Sequence, residues 1–552
     1  MFARVIPALR TPLGVEHFDY SIPDGLVLKP GDLVLVQFRK TPTPALVTEI
    51  LKQSPFASKA KPVTSSYGGI SFPESLIGLL EWTSRWTFCS QPTVFTSWVR
   101  HLPKRIPTNS PSKNEVQKNR SGGMHVTWSA DAQNKIIETA KQHSDKRVLI
   151  ITPQKMTATL YSQVIPDATV LLSDLSDGAA FRAWSEWLAR KSGTLITTRV
   201  GAWLSPCADL VLLDQPEQDD HKQDELTPRY DARKLAVWSA QHADTNVEAI
   251  GITPTLSTDD DAPTIECDLT LTVRHPNSRS PIPMLQADVL NTIREHEGKK
   301  IIIHPIRGDS ARFTCRDCGW QAVCPSCGFA TSSIGGQAVC RRCNWKGEAH
   351  LECGACGGYD LGKSLPGIER LKAAWLKHEP DIEVEWRTMA IDDMEQPIPD
   401  DALVVVTDAN LMAGVVEDIR RDERLVVAIR RLASRSKHLI LQTDEALFNK
   451  AAAWLTTEGF AAFRTSERSL RTTFRYPPAT RLVKLISEIE LTEPRFELRG
   501  PYPVAFRAKS RKNRLIYHLL PPKDVSNETL MKALLPLAKT AIIDLDPIAF
   551  FR

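Results

Sequence analysis

At 552 residues the chain is too long for one hydrophobic core, so three or more domains are expected. Hydrophobic residues at 42% and charged residues at 24% describe ordinary globular material and exclude a disordered or membrane-embedded class. The formal charge of +4 is small but unevenly placed: six Lys/Arg face one Glu from Arg100 to Arg120, and "FRAKSRKNR" near the end is strongly basic. Such clusters suit a polyanion, because each neutralised phosphate releases counterions, although a solvated charged face has the same composition.

In chain order, residues 1 to about 55 read as short strands. Apolar residues alternate in "FDYSIPDGLVLKPGDLVLVQF", and "PDG" and "KPGD" are turn chemistry. Residues 74–102 carry apolar positions at helical spacing, interrupted near Pro92. The stretch 103–123, rich in Pro, Ser, Asn and Lys, reads as a linker. From 124 to about 262 the runs "KRVLIITP", "ATVLLS", "GTLITT", "DLVLLD" and "VEAIGIT" alternate with helical patterns, which predicts a parallel α/β sheet. A second such set, "KKIIIHP", "DIEVEWRT", "DALVVVTD" and "KHLILQT", is interrupted by cysteines. The tail from about 446 mixes helix ("FNKAAAWLTTEGF") with strands ("RLVKLISEIEL", "LIYHLLPP"). The longest apolar stretches are strand-sized, far below the roughly 20 residues of a membrane span. The start has no sustained apolar region, so no signal peptide is expected.

Eight of the eleven cysteines lie between Cys315 and Cys356, in four Cys-x-x-Cys knuckles: Cys315/Cys318, Cys324/Cys327, Cys340/Cys343 and Cys353/Cys356. A two-residue spacer lets both sulfurs of a knuckle reach one ion, and a tetrahedral Zn²⁺ needs two knuckles. Two closed zinc sites follow, structural because four thiolates leave no position for a catalytic water. Knuckles pair in three ways, and spacing does not choose among them. Redox chemistry does not need four dithiols in some forty residues. His350, alone in the block, reads as a surface residue.

The block opens "CRDCGWQAVCPSC", which resembles the "CxxCGWxxxCPxC" of the PriA family of replication restart proteins, members of superfamily 2 of DNA helicases. The family's interleaved pairing would place Cys315, Cys318, Cys353 and Cys356 on one zinc, and Cys324, Cys327, Cys340 and Cys343 on the other. "HFDYSIPDGLVLKPGDLVLVQF" is similar to the family's N-terminal domain, which captures the 3′ end of a DNA strand. The resemblance implies that Phe18, Asp19 and Tyr20 lie in the end-binding pocket, with Asp19 accepting from the terminal hydroxyl. A turn with a buried aromatic pair is the alternative for these three residues. "HKQDELTPRYDARKLAV", "LPGIERL", "RYPPATRLVKL" and "GPYPVAFRAKSRKNRLIYHLL" resemble further family segments in the correct order.

That order places "HVTWSADA", residues 125–132, on the family's phosphate loop, Gly-Val-Thr-Gly-Ser-Gly-Lys-Thr. The glycines have become His125, Trp128 and Ala130, the lysine Asp131 and the magnesium-binding threonine Ala132. Backbone N–H groups can no longer close around phosphate oxygens, and nothing neutralises them. At 4 Å and an effective dielectric of 20, exchanging Lys for Asp reverses about 8 kcal/mol at most. The family's Asp-Glu-Glu-His reads "DQPE", keeping Asp214 but replacing the catalytic Glu by Gln215. In the last motif Arg435 survives and Leu432 replaces the first arginine. Phosphoryl transfer rests on positioned charge, so no ATP or Mg²⁺ use and no catalytic residue are expected. The family's winged-helix domain also finds no counterpart; the basic linker takes its place.

The expected architecture is multidomain α/β: an N-terminal β-rich DNA-binding domain (1–103), a basic linker (104–123), two degenerate RecA-like helicase lobes (124–262 and 263–445), and an α+β C-terminal domain (446–552). The second lobe carries the inserted two-zinc cysteine-rich region (312–360). The resemblance implies a bacterial cytoplasmic, nucleoid-associated protein that recognises stalled forks with an exposed 3′ end and promotes primosome assembly and helicase loading. Primosome and helicase-loading proteins and single-stranded DNA-binding protein are the implied partners, with no membrane. Arg507, Lys509, Arg511, Lys512 and Arg514 are the candidate phosphate contacts. Two other readings use some of the same residues: an ATP-driven 3′–5′ helicase with an unusual nucleotide site, and a non-replicative zinc adaptor for nucleic acid.

Overall fold

The structure, a computed structural model, describes all residues except 100–101, 103–121, 225, 276–279, 307–309, 316, 319, 321, 326–330, 335–336, 341–344, 349–351, 390–393, 395, 414–418, 492–495, 504–514 and 549–552. The chain forms two compact units. One comprises Met1–Gly251 with Ser526–Ala538 and Ile543–Ile548; the other holds Ile252–Val525 with Lys539–Ile542. The domain limit read at 262/263 therefore falls inside the second unit.

The first unit opens on an antiparallel sheet of β1 (Phe2–Pro7), β2 (Phe18–Ser21), β3 (Asp32–Phe38), β4 (Thr41–Leu51) and β5 (Val63–Ser71), in the order β2-β1-β4-β3-β5. The Lys-Pro-Gly-Asp turn admits only glycine. Gly31 has φ +93°, and a β-carbon there would meet the Phe72 carbonyl oxygen at 2.0 Å. Two helices follow, α1 (Glu74–Thr87) and α2 (Gln91–Trp98). The interruption near Pro92 is a change of helix: Phe88 turns left-handed and ends α1, and the Ser90 hydroxyl accepts from the Thr93 N–H to cap α2. Pro92 lies in the first turn, where its missing N–H is no loss.

Six parallel strands come next: β6 (Met124–Trp128), β7 (Arg147–Ile151), β8 (Thr169–Leu171), β9 (Gly193–Thr197), β10 (Leu210–Asp214) and β11 (Asn246–Gly251), ordered β6-β11-β10-β7-β9-β8. β7 and β10 are buried along their whole length, as a parallel sheet covered on both faces requires. This sheet and the β-rich domain share one core. Phe72 lies 5.8 Å from Trp184 and 5.7 Å from Trp203, and Trp98 stacks on Trp203 at 6.2 Å. The Ile543–Ile548 segment is anchored in the same unit by charge: buried Asp544 meets Lys222 at 3.0 Å and Arg229 at 3.3 Å.

In the second unit the chain order is β12 (Asp268–Val273), β13 (Lys300–Ile303), β14 (Ser310–Cys315), β15 (Ser332–Ile334), β16 (Gln337–Val339), β17 (Lys346–Glu348), β18 (Leu361–Pro366), β19 (Glu385–Arg387), β20 (Leu403–Val406) and β21 (His438–Thr443). Five of these form a sheet in the order β12-β21-β20-β13-β19, parallel throughout. β12 is not among the runs singled out in the sequence. It is a half-exposed edge strand whose alternation with Asp and Thr keeps its apolar signal weak. The cysteine-rich insertion builds its own sheet, ordered β17-β16-β15-β14-β18. β14 and β18 pair antiparallel with Cys315 opposite Leu361, so the insertion begins and ends on neighbouring strands. Beyond it, the predicted tail helix divides into Glu445–Ala451 and a longer Thr457–Thr473. The strands Val483–Ser487 and Leu515–Leu520 pair antiparallel, with Glu497–Pro503 on the far side of the latter.

Candidate functional site

Cys315, Cys318, Cys353 and Cys356 converge, with their sulfurs all within 4.8 Å of one another. Cys315 and Cys356 sulfurs are 3.7 Å apart and those of Cys318 and Cys353 3.6 Å. A disulfide needs about 2.0 Å. Four sulfurs about 2.3 Å from a tetrahedral Zn²⁺ stand about 3.8 Å apart along each edge. The cluster therefore fits a zinc-sized thiophilic ion. Of the three pairings open to the sequence, the structure joins the first and last knuckles, because the β14–β18 ladder brings both ends of the insertion together. Each knuckle closes alike: the Cys315 N–H donates to the Trp320 carbonyl and the Cys353 N–H to the Gly358 carbonyl, both at 2.8 Å. Cys340 repeats this closure onto Trp345 at 2.8 Å, and Cys324 and Cys340 are buried. Cys327, Cys343 and His350 lie outside the described residues.

Asp19 sits in the β-rich sheet opposite Arg4 on β1. The Arg4 Nε donates to one carboxylate oxygen at 3.1 Å and the Ser54 hydroxyl to the other at 2.7 Å, leaving the Asp19 side chain 3% exposed. The ion pair raises the Arg4 pKa, its hydrogen bond to Asp19 being the largest cause. Strand alternation separates the three residues grouped in the sequence. Phe18 and Tyr20 face the core of Ala3, Val5, Val34 and Val47, where Phe18 meets Phe38 edge-on at 5.3 Å and the Tyr20 hydroxyl donates to the Gln37 carbonyl. Asp19 points the other way, with Arg4, Glu49 and Ser54 around it. Arg4 and Ser54 were not marked in the sequence; period-two pairing of two short strands is the signal for Arg4.

The residues 125–132 form a strand, a turn and a helix. β6 ends at Trp128, the Ser129 N–H donates to the Gly251 carbonyl at 2.8 Å, and the helix Ala132–Gln142 begins after Asp131. Register pairs Trp128 with Gly251 and Asp214 with Ile250, so the 125–132 and "DQPE" segments meet at one edge of the sheet. The indole occupies that edge: a β-carbon on Gly251 would stand 2.6 Å from the Trp128 ring and 3.0 Å from Pro216. Asp131 is exposed and Ala132 buried. The loop after Asp214 is bound by the protein itself. Gln215, at φ +47°, donates its N–H to Ile250, and the buried His221 Nε2 donates to the Asp214 carbonyl at 2.8 Å. Burial pushes the His221 pKa down to about 4 and keeps the ring neutral. Arg233, gripped by Asp231, donates to the carbonyls of Pro216 and Gln218.

At the corresponding edge of the second sheet lie residues that sequence reading passed over. Asp408, buried after β20, pairs with Arg274 at 2.9 Å and accepts from the Asn410 N–H. Burial outweighs these partners and raises its pKa to about 6. His304, after β13, lies between the Thr407 hydroxyl at 2.5 Å and the Pro366 carbonyl at 2.8 Å, at the exit of the insertion. Arg435 spends its guanidinium on the carbonyls of Met394 and Gln396. The phosphate-contact candidates Arg507, Lys509, Arg511, Lys512 and Arg514 lie outside the described residues.

A β-rich domain, two parallel α/β sheets and a four-cysteine cluster of a size that fits a metal ion define a multidomain α/β protein. Residues 8–99 match the family model of the PriA 3′ DNA-binding domain (3′BD). The chain is also similar to proteins named replication restart protein PriA. It is 24% identical to that of Bacillus subtilis over 258 residues, 42% of this chain and 32% of that protein. For Haemophilus influenzae the identity is 24% over 350 residues, 59% and 45%, and for Synechocystis sp. 23% over 264 residues, 42% and 31%. The chain is thus a relative of the PriA proteins, and it spans less than half the length of each of these three. No helix among the described residues is long and apolar enough to cross a membrane.

Proposed function

We propose that this protein acts in replication restart, binding forked DNA through an exposed 3′ end and favouring assembly of the helicase-loading machinery without hydrolysing ATP. The match of residues 8–99 to a 3′ DNA-binding domain carries the reading. Within that domain Asp19 is the acceptor for the terminal hydroxyl. Its oxygens already take three donors, two from Arg4 and one from Ser54, yet a carboxylate offers about four lone-pair positions. Those two side chains hold it in one orientation, so its remaining lone pair is aimed before DNA arrives. The thiolate clusters hold two structural zinc ions, and the Cys340 knuckle closure supports the second.

The absence of ATP turnover is supported by the indole on the sheet edge and by the missing lysine. Without groups that neutralise a triphosphate, the α/β units serve as a frame for DNA and partner contacts. Fork binding tests the reading, comparing free 3′-hydroxyl ends with dideoxy ends for the wild-type chain and Asp19→Ala. A lost hydrogen bond to a charged group is worth about 1.5–3 kcal/mol. Asp19→Ala should therefore bind free ends about ten- to a hundredfold more weakly and lose the preference over dideoxy ends. Equal binding of both ends by the wild-type chain would sink the proposal.

A further inference from the structure

The connector between the last strand of the first sheet and the first strand of the second, residues 252–267, has neither helix nor strand. A flexible interdomain connector is normally solvated. This one is only partly so: Ile252, Thr253, Leu256, Ala262 and Ile265 are buried, while Ser257, Asp259, Asp260, Asp261, Thr264 and Glu266 are exposed. Its polar backbone is held from two helices of the second unit, Arg421–Ala433 and Thr457–Thr473. Arg430, fully buried, donates Nε to the Thr253 hydroxyl at 3.1 Å, Nη1 to the Trp454 carbonyl at 2.6 Å and Nη2 to the Pro263 carbonyl at 2.5 Å, with its guanidinium 5.2 Å from the Phe460 ring. Arg468 donates Nε to the Leu256 carbonyl at 2.7 Å and Nη2 to that of Thr258, and it pairs with Asp259 at 2.6 Å. Arg464 reaches the carbonyls of Thr258 and Asp260. The Thr457 hydroxyl donates to the Ala262 carbonyl at 2.8 Å, and the Ile265 N–H donates to Leu455 at 2.9 Å.

Carbonyls 256, 258, 260, 262 and 263 are thus all taken, four of them by guanidinium groups and that of Ala262 by the Thr457 hydroxyl. A hinge must change several backbone dihedrals at low cost, and each such change here would strip a charge-assisted hydrogen bond from a carbonyl beside a buried side chain. We propose that residues 252–265 form a fixed strap, locked to the second unit by Arg430, Arg464 and Arg468, and that no hinge motion occurs there. Arg430 is the central positioning residue, since two of its bonds tie the beginning and end of the strap to one buried point and the third anchors it to the Trp454 carbonyl. This inference stands apart from fork binding: a chain with a loose connector could still bind a 3′ end.

Amide hydrogen exchange on the intact chain, followed by mass spectrometry, tests it. In the wild-type protein, peptides covering 252–266 should exchange slowly, with unchanged rates when fork DNA is added. Arg430→Lys keeps the charge but loses the three-way fork, and the double variant Arg464→Ala/Arg468→Ala removes the partly exposed pair without touching the buried one. Each should speed exchange in 252–266 at least tenfold while peptides from β13, β20 and β21 keep their protection. Should Arg430→Lys lose protection everywhere, the double variant decides. Wild-type exchange in 252–266 as fast as in an unstructured peptide, or double-variant rates equal to wild type, would overturn the strap.

Discussion

Asp408 shows how a single buried carboxyl can be set against the fold that holds it. Despite Arg274 at 2.9 Å, burial raises its pKa to about 6. A carboxyl held above its unfolded value binds a proton more tightly in the folded state. It therefore costs stability at neutral pH, and that cost is relieved as pH falls through about 6 toward 4. The full effect is on the order of 3 kcal/mol. Asp408→Asn keeps an acceptor for the Asn410 N–H and removes the charge. It should raise the urea midpoint at pH 7.5, with a smaller gain at pH 4.5; equal gains at both would assign the titration to another group. Trp128 and Asp131 carry a different expectation. Purified chain should release no phosphate from ATP above background, with or without fork DNA. Asp131→Lys should not restore release, because the indole and Gln215 remain. Clear turnover in the unmodified protein would refute this.

Among the elements, the cysteine-rich insertion has most to lose from a single change. Its strands are short, β15, β16 and β17 having three residues each, and a sheet of that size buries too little apolar surface to stand unaided. On the proposed reading thiolate–zinc bonds would supply the rest, since structural zinc binding is worth about 10 kcal/mol or more at neutral pH. Zinc content should be two ions per chain. Cys353→Ser should lower it to one and release the β14–β18 end of the insertion, while the melting of the two parallel sheets stays largely unchanged. One ion per chain in the wild type would remove the second site from the proposal. The knuckles were legible in the sequence because a two-residue spacing is a local property. Spacing did not give their partners; the first pairing came only from the family resemblance, since it depends on where the ladder from Ser310 to Cys315 meets Leu361 to Pro366. The same contrast holds in β2, where "FDY" reads as one cluster but the strand sends Asp19 to the face opposite Phe18 and Tyr20.

For the whole molecule, net charge is small and the basic residues are grouped, so DNA affinity should be local and sensitive to salt. Five phosphate contacts from Arg507, Lys509, Arg511, Lys512 and Arg514 would give log K against log salt a slope of about −4. Replacing Arg511 and Lys512 with alanine should make that slope shallower by about 2, nearly independent of base sequence; an unchanged slope would place the contacts elsewhere. The sequence by itself determined most strands of both parallel sheets, because buried runs such as "RVLII" and "LVVV" are apolar wherever they pack. It also laid out the four Cys-x-x-Cys knuckles, which depend on residue type and spacing alone. Only the tertiary structure decided which knuckles meet, that Trp98 and Phe72 share a core with the first sheet, and that the connector is strapped down by three arginines. Periodicity tells which face of an element is buried, whereas the identity of what covers it is set by contacts between residues far apart in the chain.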